Sequence, residues 1–326
     1  MRTSRLGMIV LAGLVAGLGP ASAQQGYPAR SVTVVVPAAA GGPTDAVARM
    51  IAESMSRSLG QQVVVENVGG AAGTIAMARV AKAPSDGYTL AVWHIAQAIA
   101  PALYDNLRYH VIDDFDSIGR ITDVPMTIVG KANLEPKTAA QLIAWVRQKQ
   151  DAVTYAHGGV GSAAHLCSLL FMDALKIKMT AVSYRGTGPA MTDLLGGVFD
   201  LMCDQSTTTT NQIREGKIKG YAATTKARLT VLPDLPTLDE AGLKGFEVTA
   251  WHAMWAPKGL PADVVAKLNS ALQAALKDPK VIERLAALGT EPVPLEFATP
   301  AALKSHLTAE VAKWGPILKA AGAKGE

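Results

Sequence analysis

Three small-residue loops hold the side chains best placed for chemistry. The first is Ala38-Ala39-Ala40-Gly41-Gly42-Pro43-Thr44-Asp45. The second is His157-Gly158-Gly159-Val160-Gly161-Ser162, with His165 one turn further on. The third is Tyr184-Arg185-Gly186-Thr187-Gly188 and carries the only arginine of the three. Each follows a strand pattern and precedes a helix pattern. A helix start offers unpaired N–H groups and the positive end of a dipole. Glycine and alanine let a guest approach that backbone, and a carboxylate or phosphate is the natural guest. Thr44 suits both a helix cap and a ligand contact, whereas Asp45 suits the dipole. The Arg185 guanidinium matches a carboxylate, or else a surface ion pair.

Other chemistries fit poorly. Ser162 and His165 invite a triad, but GVGSAAH is not the G-x-S-x-G elbow. Ser162 reads better as a helix cap that also touches ligand; a secreted hydrolase using it is the remote enzymatic alternative. The Walker pattern and the G-x-G-x-x-G fingerprint are missing, so no nucleotide cofactor is expected. Cys167 and Cys203 lack metal-ligand spacing. They are either disulfide-bonded or two buried thiols. No basic cluster with interleaved aromatics points to nucleic acid.

The elements that must position these loops alternate. Strands are expected at Val32–Val36, Val63–Val65, Tyr88–Trp93, Val153–Ala156, Ala181–Tyr184, Phe199–Cys203 and Ile218–Thr224. Helices fall between them, as at Thr44–Leu59 with Gly60 as its stop and Ser162–Leu175. After Pro233 the pattern reads as mainly helical. This is an α/β chain with mostly parallel sheets, and such sheets bind ligands beyond the carboxyl ends of their strands. The length fits about two domains of roughly 150 residues each. With no low-complexity linker between them, the chain should cross between lobes through strands. Those crossings are expected near Thr122–Met126 and Thr224–Leu232.

Arg2 and Arg5, the apolar run Leu6–Leu18 and Ala21-Ser22-Ala23 have the order of a cleaved secretory signal over residues 1–23. The apolar run is shorter than the about 20 residues that span a bilayer. Removing Arg2 and Arg5 leaves 29 basic against 27 acidic residues, a nearly neutral periplasmic protein.

The segments YPARSVTVVVPAAAGGPTDAVARM, VVVENVGGAAGTIA, APSDGYTL, YRGTGPAMTDLLGGVFDLM, LPDLPTLDEAG, WAPKGLP and LAALGTEP span nearly the whole chain beyond residue 23. In this order they resemble the substrate-binding receptors of tripartite tricarboxylate transporters, the Bug-type receptors. That resemblance implies a two-lobed periplasmic-binding-protein fold of Venus-flytrap, type II-like form, with a hinge. It divides the chain into a discontinuous lobe 1 (24–123 and 230–326) and lobe 2 (124–229). It implies a carboxylate held by backbone N–H groups and water between the lobes. On matching positions the binding residues are Ala39, Gly41, Gly42, Pro43 and Thr44 in the first loop. Gly70, Ala71, His94 and Gln97 border the cleft. His157, Gly158, Gly161, Ser162 and His165 form the second loop, and Arg185, Thr187 and Asp204 lie across from the first.

By residue chemistry alone, His94, Gln97 and His157 suit the far end of a compact anion, or local structure. Asp204 is awkward beside a carboxylate; it holds Arg185 or a loop amide, or accepts from a donor on the ligand. Trp93-His94-Ile95 is bulkier than the glycine- or serine-rich start common in the family, which should reshape the pocket. The function so implied is a monomeric periplasmic receptor, not an enzyme. It delivers a small carboxylate, aliphatic or aromatic and most naturally a dicarboxylate, to membrane permease subunits. A receptor signalling to a membrane kinase is the alternative.

Overall fold

A computed structural model describes residues 26–320. The expected signal segment and its cleavage site lie outside the described residues. The chain opens with β1 (Val32–Val36), α1 (Pro43–Leu59), β2 (Val63–Asn67), α2 (Thr74–Ala81), β3 (Thr89–His94) and α3 (Ala96–Leu103). β1 pairs in parallel with β2 and β3. Its Val-Thr-Val-Val-Val sequence is buried almost throughout, as a strand covered by helices on both faces must be. α1 begins with Pro43 at its first turn and stops at Gly60, whose φ of 69° lies in the left-handed region. Val47, Ile51 and Met55 of α1 pack with β1, β3 and the later helix α8 (Ala262–Lys277) in one core.

The second half of the fold has its own parallel set. β5 (Thr154–His157) pairs in parallel with β6 (Thr180–Ser183) and with β7 (Leu201–Gln205). Between these strands run α5 (Ala163–Leu175) and α6 (Thr187–Leu195); α4 (Ala139–Lys149) precedes β5. α7 (Ser206–Arg214) and β8 (Ile218–Ala223) follow β7. Cys167 on α5 and Cys203 on β7 are disulfide-bonded with Cα atoms 6.1 Å apart. The bond ties helix to strand beside Asp204 and decides between the two readings of these cysteines.

One long strand, β4 (Phe115–Lys131), carries pairings in both halves. It pairs with β9 (Thr249–Pro257) up to Pro125, then with β7 and β8 from Met126 onward. The switch falls at Pro125, which has no N–H to give to a ladder. β9 also pairs with β3. Every pairing of β4 and β9 is antiparallel, so parallel order holds only in the outer strands. β9 corrects the expectation of a mainly helical chain after Pro233. Its Ala-Trp-His-Ala-Met-Trp-Ala run is buried on both faces, so the two-residue alternation of a half-buried strand is missing.

The return path differs from the expected one as well. Residues 225–247 stay against β8, where Ala223 accepts from Leu238 N and donates to Pro236 O. Leu229, Leu232 and Leu235 pack on Ala223 there. The chain crosses back at Val248, beyond the expected 224–232 window and position 230. Thr224 ties both crossings: its hydroxyl accepts from Met126 N at 3.2 Å and lies 2.6 Å from Val248 O. α8 (Ala262–Lys277), α9 (Pro279–Ala287) and α10 (Pro300–Ala320) then close the first half.

Candidate binding cleft

Four helix starts converge between the halves. α1 brings Gly42, Pro43 and Thr44; α5 brings Ser162, Ala163 and Ala164; α6 brings Gly186 and Thr187. Asp204 and Gln205 precede α7. Ala38, Trp93, His94 and Gly158 complete the lining of a narrow space of about 20 Å³. That volume is room for a single water. The halves therefore stand nearly shut. Ala39 N donates to Arg185 O at 3.1 Å, and the Tyr104 hydroxyl donates to Val160 O at 2.6 Å. Gly188 is the tightest point: a Cβ there would lie 2.5 Å from Ala40 O and 3.0 Å from Gly42 N.

The helix starts keep their donors. α1, α6 and α7 have no side-chain cap, while Ser162 caps α5 by accepting from His165 N at 3.2 Å. Uncapped first-turn N–H groups are available to an anion. Asp45 does not cap α1; it reaches back to Gly41 N and pairs with Arg49. Those partners hold its carboxyl below the usual range although burial acts against them. Thr44 spends its hydroxyl on His252 Nε2 at 3.0 Å.

The histidines form two buried groups. His94 accepts from Ala96 N on Nδ1, stacks on Trp93 at 3.8 Å and meets His252 edge-on. His157 accepts from Gly159 N and His165 from Gly161 N, each on Nδ1. An imidazole whose Nδ1 accepts carries its proton on Nε2 when neutral. Burial, then the neighbouring histidine, pushes His94 well below its usual value and His165 down to about 3. Burial alone pushes His252 down to about 3. All three rings are neutral at pH 7, and His94 offers the cleft a donor without a charge. Because the Ser162 hydroxyl engages the main chain of His165, the pair does not form a nucleophile and base.

Asp204 is the outlier. It is fully buried, and burial raises its carboxyl to about 6 against the lowering pull of Thr208, Gln205 N and Thr187. Oδ2 accepts from the Thr208 hydroxyl at 2.7 Å, but Oδ1 has no hydrogen-bond partner. The Thr187 hydroxyl favours the charged form. Gln205 Oε1 is likewise buried and unpartnered.

Of the residues singled out from sequence, Gly42, Pro43, Thr44, His94, Gly158, Ser162, Thr187 and Asp204 meet at this space. The others fall outside it. Arg185 is exposed and contributes its carbonyl to the contact between halves rather than its guanidinium to the cleft. Ala39 makes the matching N–H contact, and Gly41 is held by Asp45. Gly70 and Ala71 belong to the turn before α2, with Ala71 on an outer groove. Gln97 is buried against Val111 O. His157, His165 and Gly161 stand behind the loop: the two rings brace its amides, and Gly161 packs on Leu103. Trp93, whose bulk the sequence reading set at the pocket, and Gln205, which it did not single out, both join the lining. The available signal for Trp93 was its bulk; it fits because Gly73, at φ 88°, leaves the space a Cβ would take 2.6 Å from the ring.

A two-lobed α/β receptor with its cleft at the crossing strands is the class these features define. The family described as tripartite tricarboxylate transporter family receptor matches residues 47–323, and the chain belongs to it. It is 56% identical over 302 residues to a protein of Agrobacterium vitis described as a UPF0065 protein in the TAR-I ttuE-ttuC' intergenic region, covering 93% of this chain and 87% of that one. The solved structure of the periplasmic binding protein BugD superposes with a TM-score of 0.90 at 48% identity, over 92% of this chain and all of that one. MatC of Rhodopseudomonas palustris with bound malate gives 0.86 at 40% identity, over 90% of this chain and all of that one. This is a family of binding proteins, not of enzymes, and the expected α/β periplasmic-binding-protein fold is the observed one.

Proposed function

We propose that this receptor works in the periplasm as a monomer, captures a small dicarboxylate between its lobes and presents it to the membrane subunits of a tripartite transporter. The observation that carries this reading is the meeting of three uncapped helix starts and a neutral His94 at one buried space. Such a site stabilises a carboxylate through oriented N–H groups with no arginine in the lining. The malate-bound relative supports the dicarboxylate, and the family supports the transporter. The 20 Å³ space is smaller than any dicarboxylate, so the lobes part to admit the ligand and rest slightly wider around it. The hinge lies where β4 passes from one set of pairings to the other at Pro125–Met126 and where Thr224 meets Val248 at the start of β9. A ligand that touches both lobes favours the closed form by its differential contacts.

The test is a thermal-shift series of the purified protein, refolded to remove carried-over ligand, against mono-, di- and tricarboxylates. A dicarboxylate at a hundredfold excess over its Kd should add about 2.7 kcal/mol of apparent stability. Shifts with no carboxylate of any class would end the proposal.

A further inference from the structure

The two sides of the cleft are chemically unlike. Lobe 1 presents donors: the first turn of α1 and His94. Lobe 2 presents, beside the α5 and α6 starts, two acceptors that are 1% and 2% exposed, Asp204 and Gln205, with Oδ1 and Oε1 unpartnered. A buried acceptor without a donor costs about 1–3 kcal/mol, more when charged, so its presence at a binding space calls for a donor from the guest. A dicarboxylate alone cannot supply one, because ionised carboxylates only accept. The Gln205 amide can turn to present nitrogen instead. Asp204 cannot, and Thr208 already occupies its other oxygen.

We propose that the cleft selects carboxylates whose carbon skeleton also bears a hydrogen-bond donor, a hydroxyl or an ammonium, with Asp204 Oδ1 as its acceptor. This rests on the carboxylate-receptor reading and names the ligand class within it. The carboxylate sits against the helix starts, and the donor turns toward β7. Asp204 thereby acts as a filter: a bare dicarboxylate leaves Oδ1 unsatisfied and sets two anionic groups against each other. The disulfide at Cys203 holds the neighbouring position of β7 against α5, which keeps that acceptor in register with the α5 start.

Calorimetry on matched sets tests it: succinate, glutarate and adipate, each beside its 2-hydroxy and 2-amino counterpart. In at least one set the donor-bearing ligand should bind about tenfold tighter or more, the worth of one hydrogen bond to a charged group. Asp204→Ala should collapse that ratio toward one. Asp204→Asn, which retains a carbonyl acceptor, separates the two donors: a hydroxyl preference survives it and an ammonium preference does not. Unliganded melting curves identify any variant that fails to fold, and the wild-type ratios alone remain decisive. Bare dicarboxylates binding as tightly as every counterpart would overturn the inference and leave the carboxylate receptor standing. Binding of no carboxylate at all would remove both.

Discussion

The α1 side and the β7 side of the cleft have the same local grammar, a strand, a short loop and a helix start, yet they do opposite things. On the α1 side the polar side chains Thr44 and His94 that line the cleft are engaged within their own lobe, with His252 and Ala96, and the buried atoms left unpartnered on Gln97 and His252 lie outside the lining. What it has left for a guest is donors. On the β7 side Asp204 and Gln205 are buried with an acceptor unspent. On the proposed reading the helix starts select an anion, and the strand end facing them selects which anion.

Acid should separate the sides most strongly. His252 on the α1 side has a folded pKa of about 3 against an ordinary 6.5, and His94 is displaced the same way. The unfolded chain binds the extra protons, so stability present above pH 6.5 is lost as pH falls toward 3, by several kcal/mol at about 1.4 kcal/mol per pH unit per group. On the β7 side, His165 contributes likewise, but Asp204 opposes it. Its carboxyl is raised to about 6 from 3.8, so its contribution is present below 3.8 and lost as pH rises through 6. Hydrogen exchange between pH 4.5 and 6.5 should show the amides around β3 and β9 opening before those of β5 and β7. Equal opening would break the comparison.

Next in size is the disulfide. Cys167→Ser with Cys203→Ser should cost about 3–4 kcal/mol in denaturant melts, given the 36-residue separation. It should also weaken discrimination by Asp204 more than it weakens carboxylate binding as such. Gly188→Ala follows. The three atoms nearest its Cβ belong to lobe 1, so the unliganded melting point should hold while closure is hindered by about 1–3 kcal/mol, a roughly 5- to 150-fold loss of affinity by calorimetry. An unchanged affinity would mean that the bound form stands wider than this approach implies. Smallest is Thr44→Val, which removes the bond to His252 at a cost of about 1 kcal/mol in a melt.

Much of this arrangement was legible in the residues. β1, the body of α1 and its stop at Gly60 follow from β-branched runs, 3.6-residue spacing and a glycine able to take positive φ. The loop at Gly42–Thr44 and the Gly158–Ser162 loop were visible as small residues between strand and helix patterns. β9 was not legible, because burial on both faces erases alternation. Nor was the path of residues 225–247, whose leucines pack on β8 in a way no local pattern announces. Arg185 misleads for a similar reason: charge suggests a ligand contact, but only the fold decides whether a side chain or its carbonyl faces the cleft.

The sequence by itself determined the α/β grammar, the anion-friendly helix starts and the family, since each rests on local spacing or on ordered motifs along the chain. Tertiary structure alone decided that Cys167 reaches Cys203, that Thr44 is held by His252, and that Asp204 is left with one oxygen unsatisfied. Those are facts about residues 36, 208 and 4 positions or more apart meeting, or failing to meet, in a desolvated space. Burial and partner geometry set their energies, and neither is written in residue type.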